Sequence, residues 1–330
     1  MSRDQQDDRI KRLLKSSIVI DEVAAAKIEQ SVFERFAELY FDLLSSQELE
    51  RISDAQLLGK VLSHLQVVLA SKPGKTNVDL YHSPLVSDIS ILRIVVPDNP
   101  FLLDSVTMRL NDLNLDIRLV IHPVVAVKRN SKGKVVDIVS GKHASKVYTH
   151  LSLMHFELGR SEVGTRKDRI VKEVQAVLKD VATCCEDWQP IVKQLDQVND
   201  ELKKVNSINI LAETTRFIKW LRDDNFIFLG FCKDSLSKNR QALNYTRGLG
   251  LGLLRQGHKD YLPGGTAGLL DNEETLVVAK SNQRSHIHRA GYLDFLGINR
   301  YNKQGKIVGQ YCFLGLFTST AYNKSALKIR

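Results

Sequence analysis

Apolar and polar positions in the first seventy residues recur with a helical period. Residues 5–16 form one such stretch and residues 24–70 carry more. In AAKIEQSVFERFAELYFDLL, Ile28, Val32, Phe36 and Tyr40 fall four apart on one face. SKPGKTN at 71–77 breaks the period, and VDLYHSPLVSDISILRIVVPD turns to β-rich sequence. Ile89, Ile91, Ile94, Val95 and Val96 make a strand that runs into Pro97. Asp98-Asn99-Pro100 stops this strand and opens a helix. Asn99 is placed to cap the first free amides, and Pro100 at the first helical position loses nothing by lacking an N–H. Leu102, Val106, Leu110 and Leu113 supply the helix with one buried stripe. LDIRLVIHPVVAVKR returns as a strand, NSKGK turns, and KVYTHLSLMHFELG gives a further strand alternating through Thr149, Leu151, Leu153 and His155.

A second helix starts at Thr165, with Thr165 and Asp168 set as a capping box and a stripe of Ile170, Val171, Val174, Val177, Leu178 and Val181. Strand, helix, two strands and helix begin a ferredoxin-like βαββαβ plait, whose final strand is missing because more helix follows. From Trp188, with Pro190 near its first turn, the apolar positions Trp188, Ile191, Leu195, Val198, Leu202 and Val205 alternate three and four apart. That seam is too short for a free coiled coil and suits a spacer helix packed on a neighbour. NSINILAETTRFIKWLRDD, capped at Ser207, is another helix, ending before the strand NFIFLGFCK. Strands at 275–288, 293–301 and 306–317 follow a glycine-rich middle, so 226–330 reads as a second α/β domain with an antiparallel sheet.

Composition adds bounds. A chain of 330 residues suggests two or three domains, and 43% hydrophobic with 26% charged residues is ordinary for globular protein. No apolar run reaches the roughly 20 residues of a membrane span, and the charged start MSRDQQDDRIKRLL has no secretory core. Cys184, Cys185, Cys232 and Cys312 form no CxxC pair, which reads as reduced thiols in the cytoplasm. The net charge of +9 is uneven: residues 1–230 hold 32 Lys/Arg against 32 Asp/Glu, and residues 231–330 hold 15 against 6. A basic end suits nucleic acid, or else a face that docks on an acidic neighbouring domain or is simply solvated; the absence of clustered arginine and aromatic pairs favours the second reading.

Candidate chemistry is sparse. GLGLGLL at 248–254 has the look of a dinucleotide loop but lacks a convincing strand before and helix after, so a tight turn is the better reading. PGGTAG at 263–268 is equally nonspecific. His286 and His288 in SHIHR would share one side of a strand, without a third ligand at useful spacing, and no metal site is expected. His122, His150 and His155 read as sheet residues. No catalytic or cofactor-binding residue is expected in this chain. The candidate effector-binding or interface turn is Asp98, Asn99, Pro100, Phe101, Asp104 and Ser105. Its helix N-terminus could hold a carboxylate or phosphate, or Asn99 and Asp104 could satisfy those amides themselves.

VPDNPFLLDSVTMRLNDLNLDIRLVIHPVV resembles the amino-terminal region of the large bacterial NAD-specific glutamate dehydrogenases. So do FIKWLRDDNFIFLGF, GLGLLR, SHIHRAGYLDFLGINRYNKQGKIVG and FLGLFTSTAYNKS. The resemblance runs from about residue 85 to 325. It implies an α+β chain with a helical segment at 1–84, an ACT-like βαββα domain at 85–190, a helical spacer at 191–225 and a PAS-like domain at 226–330 that is cut short. It also implies a parent enzyme that oxidises L-glutamate to 2-oxoglutarate and ammonium with NAD, its catalytic lysine, aspartate and Rossmann elements lying downstream. The chain is expected to be a fragment that binds no NAD and oxidises no glutamate by itself.

ACT modules that bind amino acids commonly carry Asp-x-Pro-Gly in the turn. Here the turn is Asp98-Asn99-Pro100-Phe101, and phenylalanine denies a ligand close approach to the backbone. Together with the missing strand, this favours assembly over effector binding. The expected role is therefore regulation and scaffolding within a cytoplasmic homo-oligomer, with the downstream catalytic domain as partner. A small-molecule amino-acid effector is the further candidate partner; a membrane is not expected. The rivals are a free-standing amino-acid sensor and, less favoured, an RNA-binding protein, since the strand DISILRIVV lacks aromatic stacking pairs.

Overall fold

The computed structural model describes residues 3–143, 145–204, 208–237, 243–245, 249–255, 261 and 275–323. Val205, Ser207 and the PGGTAG loop of the sequence reading lie outside them. Contacts divide the chain into Met1–Leu178 and Lys179–Arg330.

The first unit opens with helices α1 (Arg3–Leu14), α2 (Ser17–Ala25), α3 (Gln30–Phe41), α4 (Ser46–Arg51) and α5 (Asp54–Ala70). The helical run expected after residue 24 is interrupted at Ser45 and Ser53. Each serine accepts from the amide three residues on, and the Glu48 or Gln56 side chain returns the bond, forming two capping boxes. Val32, Phe36 and Tyr40 are buried, whereas Ile28 precedes α3 and only packs at the core's margin.

Strands β1 (Asn77–His82) and β2 (Ile89–Pro97) are followed by helix α6 (Leu102–Asp112). Strands β3 (Ile117–Ile121), β4 (Val124–Arg129), β5 (Val135–Ser140) and β6 (Thr149–Gly159) complete a six-stranded sheet in the order β1-β2-β6-β4-β5, with β3 also on β6. All pairings are antiparallel. The return strand expected at 115–129 is therefore two strands. Both lie along β6, and the break falls at His122-Pro123, where proline has no amide to give to a ladder. The plait is recognisable, with β6 between β2 and the broken strand. Its edge beside β2 is not vacant, as the missing last strand had suggested: β1, from upstream in sequence, pairs there from Asn77↔Val95 to His82↔Ser90.

Sheet alternation assigns the two faces. Val95, Leu151, Leu153, Ile121, Val125 and Val127 join the core made by α1–α5. Ile94, Val96, Met154 and Phe156 point the other way and are equally buried. The stripes of α6 (Leu102, Val106, Leu110) and of the following long helix (Ile170, Val174, Val177) are buried too and lie outside the first core. Each large side chain so buried contributes about 1.5–3 kcal/mol, and both faces of the sheet are thereby used up.

After the single turn α7 (Arg160–Val163) and a 3₁₀ turn at Gly164–Arg166, helix α8 runs unbroken from Lys167 to Leu202, with Pro190 inside it. This corrects the two separate helices and the Thr165 cap inferred from sequence. Ile191, Leu195, Val198 and Leu202 of the expected seam are buried, but its first position is not: Trp188 is 46% exposed, and the seam continues upstream through Asp187 and Cys184 instead.

The second unit contains the rest of α8, helix α9 (Ile208–Trp220) and a π turn at Leu221–Asn225. Its strands are β7 (Phe226–Leu236), β8 (Leu243–Tyr245), β9 (Leu251–Gly252), β10 (Leu276–Arg284), β11 (Tyr292–Tyr301) and β12 (Ile307–Phe317), followed by the turn α10 (Ser319–Asn323). The antiparallel order is β10-β11-β12-β7-β8, with β9 on β7, so the module's first and last long strands are central neighbours. Phe226, Phe228, Phe231, Leu296, Ile298, Tyr311 and Phe313 form one core with Ile191, Leu195, Val198 and Ile218. The chain is α+β with two antiparallel sheets, as the patterning indicated.

Candidate functional site

Two neighbourhoods in the first unit could receive a small molecule. The first is the turn singled out from sequence. Asp98, Asn99, Pro100, Phe101 and Asp104 do line one open surface cavity, joined by Leu102, Leu103 and His122. Ser105 does not: it is buried, with its hydroxyl donating to the Phe101 carbonyl at 2.5 Å. The capping expectation is corrected as well. The helix begins at Leu102, its N-cap is Phe101 at φ 70°, and Asn99 donates its side-chain amide to the Pro97 carbonyl at 3.4 Å. A left-handed non-glycine residue is costly, so the conformation that glycine would adopt freely is held here by phenylalanine.

The charge in this cavity is wrong for an anionic ligand. Asp98 and Asp104 face it, and the nearest basic group is His122, whose Nε2 lies 2.7 Å from Ser152 Oγ. Burial lowers the His122 pKa, with Asp98 and Asp104 pulling the other way.

The second neighbourhood was not anticipated. A cavity of about 180 Å³ is lined on α5 by Gln56, Gly59, Lys60 and Ser63, and beside it by Tyr81, Ser83, Pro84, Leu85, Val86, Ile91 and Arg93. Arg93 donates to the Ser63 carbonyl at 2.7 Å, pairs with Asp79 and stacks 4.5 Å over the Tyr81 ring. Lys60 pairs with Glu157, and desolvation outweighs that carboxylate, pulling the ammonium down to about 8.

Behind the cavity lies a closed polar cluster. Tyr40 Oη sits 3.3 Å from His64 Nδ1, and His64 Nε2 sits 3.3 Å from the Ile94 carbonyl. A carbonyl can only accept, so Nε2 carries the proton and Tyr40 donates to Nδ1. That tautomer is neutral, and burial keeps it so by pulling His64 down to about 4. His155 is fully buried 3.6 Å from Glu157, with no hydrogen-bond partner for either ring nitrogen among the described residues. Burial first, then Lys60, His64 and Arg93, hold its pKa well below the usual value. Sequence offered a usable signal that was missed: Lys60 and His64 are one helical turn apart on the buried face of α5, and Arg93 interrupts an apolar strand.

In the second unit the glycine stretch is occupied by protein. Gly252 sits at φ 58°, where a Cβ would lie 2.1 Å from the Leu229 carbonyl oxygen. Its N–H donates to Asp187 Oδ2 at 2.6 Å, and Arg255 donates to both oxygens of Asp187 at 2.6 and 2.7 Å. A carboxylate thus takes the place a phosphate would need. His286 lies past the end of β10 and contacts Asp180 at 2.8 Å, so it does not form a pair with His288 along a strand. Among the basic residues, Arg284 lies 5.8 Å from the Tyr292 ring, while Arg289 and Arg300 donate to the carbonyls of Phe317 and Asp234.

The first unit is therefore an ACT-like plait with both faces covered, and no set of reacting groups is assembled around its cavities among the described residues. Residues 36–174 match the family described as glutamate dehydrogenase, ACT1 domain. The chain is 27% identical over 326 residues to the NAD-specific glutamate dehydrogenase of Halomonas elongata, which takes in 93% of this chain and 20% of that protein. It is 28% identical over 306 residues to the enzyme of the same name from Pseudomonas aeruginosa, covering 88% and 19%. For the Mycobacterium tuberculosis enzyme the figures are 24% over 243 residues, 72% and 14%. The chain is thus similar to the large NAD-specific glutamate dehydrogenases over most of its own length, and spans about a fifth of the length of the first two. No helix among the described residues is long and apolar enough to cross a membrane.

Proposed function

We infer that this chain is an amino-terminal regulatory and assembly segment of a large cytoplasmic NAD-dependent glutamate dehydrogenase. The parent protein would convert L-glutamate, NAD and water to 2-oxoglutarate, ammonium and NADH, with NAD and the reacting residues held in another domain. Supporting this are the ACT1 match over residues 36–174 and a sheet whose two faces are both buried. Such burial directs the module's energy into packing, and its partners would be further copies of the chain and the catalytic domain. The residues around 226–330 act in this reading as a PAS-like module.

The test is twofold. Light scattering of the purified chain should report a defined oligomer, and NAD reduction with glutamate should be absent. A chain that reduces NAD, or stays monomeric alone and with the catalytic domain, would contradict the reading.

A second reading, amino-acid sensing, draws on one observation. The cavity beside α5 presents Lys60 and Arg93, the charges a ligand carboxylate needs, whereas the Asp98–Asp104 turn presents carboxylates. Titration calorimetry with the common amino acids separates the two. Micromolar binding abolished by Arg93→Met would establish the sensor, and silence across the panel would leave assembly.

A further inference from the structure

Strands β7 and β12 place four polar side chains on one face of the second sheet. Cys232 is directly opposite Cys312, and Asp234 is directly opposite Gln310. Residues two apart share a face, so register alone makes a square with two sulfurs on one side and two oxygen donors on the other. All four are 0% exposed. Ligand atoms of Cys232, Asp234 and Cys312 lie within 4.8 Å of one another. Cys232 Sγ is 3.7 Å from one Asp234 oxygen, and Cys312 Sγ is 3.6 Å from the other and 3.8 Å from Gln310 Oε1. Around a tetrahedral zinc ion, with metal–sulfur near 2.3 Å and metal–oxygen near 2.1 Å, the sulfur–oxygen edge is about 3.6 Å.

The neighbours fix these donors. Gly297, opposite Cys312 on β11, leaves room for the Gln310 amide, whose atoms would lie 2.7–2.8 Å from any Cβ there. Gln310 Nε2 donates to Asn299 Oδ1 at 3.4 Å, which leaves Oε1 toward the sulfur. Arg300 donates to the Asp234 carbonyl at 2.8 Å, placing a cation next to a ligand set that is net anionic around a divalent ion.

We propose that Cys232, Asp234, Gln310 and Cys312 form a closed structural site for a thiophilic divalent cation, zinc first, that clamps the two central strands of the second module. Two thiolates select zinc over calcium or magnesium, and four protein ligands with no open position make the site structural rather than catalytic.

The test uses the whole 330-residue chain, prepared under reducing conditions. Elemental analysis should find about one zinc per chain after dialysis against a weak chelator, and Cys232→Ser/Cys312→Ser should reduce it by about tenfold or more, while Cys185→Ser, outside the square, should retain it. Should the double variant not fold, refolding the unaltered chain in cobalt(II) is an independent check. A thiolate-to-cobalt charge-transfer band with intense tetrahedral d–d absorption is expected. Zinc-free protein that also shows no such band, metal retained by the folded double variant, or a Cys232–Cys312 disulfide in protein kept anaerobic throughout would each overturn the proposal.

Discussion

Lys60 on helix α5 and Glu157 on strand β6, 97 positions apart in the chain, form an ion pair enclosed between the amino-terminal helices and the sheet. Each is only 8% exposed. The pair ties a segment that could pass for an independent helical domain into the plait itself.

Breaking it from one side should be costly, because the buried Glu157 carboxylate is then left with only His155, 3.6 Å away, beside it. Lys60→Met is expected to destabilise the chain by about 3–5 kcal/mol, and Lys60→Met/Glu157→Leu to regain most of that loss. Urea unfolding of the two variants gives the answer. Equal losses in both would mean that packing, rather than unpaired charge, dominates the site.

Acid should weaken the same region. His64 has its folded pKa lowered from 6.5 to about 4, and His155 is lowered as well. The unfolded chain therefore takes up protons that the folded chain refuses. The contribution is whole above about pH 6.5, declines as pH falls toward 4, and for His64 amounts to on the order of 3 kcal/mol. The groups facing these rings are Tyr40, Lys60, Arg93 and Glu157. His155→Phe removes one titrating group that makes no hydrogen bond, so its stability should fall less between pH 7 and pH 5 than that of the unaltered chain. An unchanged slope in denaturant titrations at the two pH values would refute this.

At the turn, Phe101→Gly should relieve a left-handed conformation worth about 1–2 kcal/mol, less whatever contact the half-buried ring provides. Phe101→Ala keeps the strain and loses the ring. The glycine variant should therefore be the more stable of the two by about 1 kcal/mol. Differential scanning calorimetry of the pair measures it directly, and the reverse order would mean that the backbone carries no strain.

In the second unit, Arg255→Ala should cost about 2 kcal/mol by leaving the buried Asp187 carboxylate with the Gly252 N–H but without the guanidinium. Gly252→Ala should be at least as damaging, since the new methyl would meet the Leu229 carbonyl. Both are read as thermal shifts. A tolerated Gly252→Ala would show that the loop can move away from β7.

Most elements were legible in the chain. The 3.6-residue period and the alternation in β2, β6, β7, β11 and β12 are local signals that follow from backbone geometry, whereas the S-x-x-E and S-x-x-Q boxes at Ser45 and Ser53, equally local, interrupt a run that reads as continuous helix. The candidate site was half legible. Asp98, Asn99, Pro100, Phe101 and Asp104 do share a cavity, but the Asn99 cap failed because the chain enters α6 through a left-handed Phe101, which residue preference disfavours. Trp188 was placed in the seam because it is apolar. Tertiary context instead turned Asp187 inward, since Arg255 and Gly252 were there to satisfy it.

The sequence by itself determined most of the helices and strands, that both modules are α+β, and which family the motifs resemble, because these depend largely on neighbours within a few residues. Only the tertiary structure decided that β1 fills the plait's edge, that Lys60 meets Glu157, and that Cys232 faces Cys312 across a ladder. Those contacts join residues far apart in the chain. Pairing register and the burial of charge set them, and no local pattern encodes either.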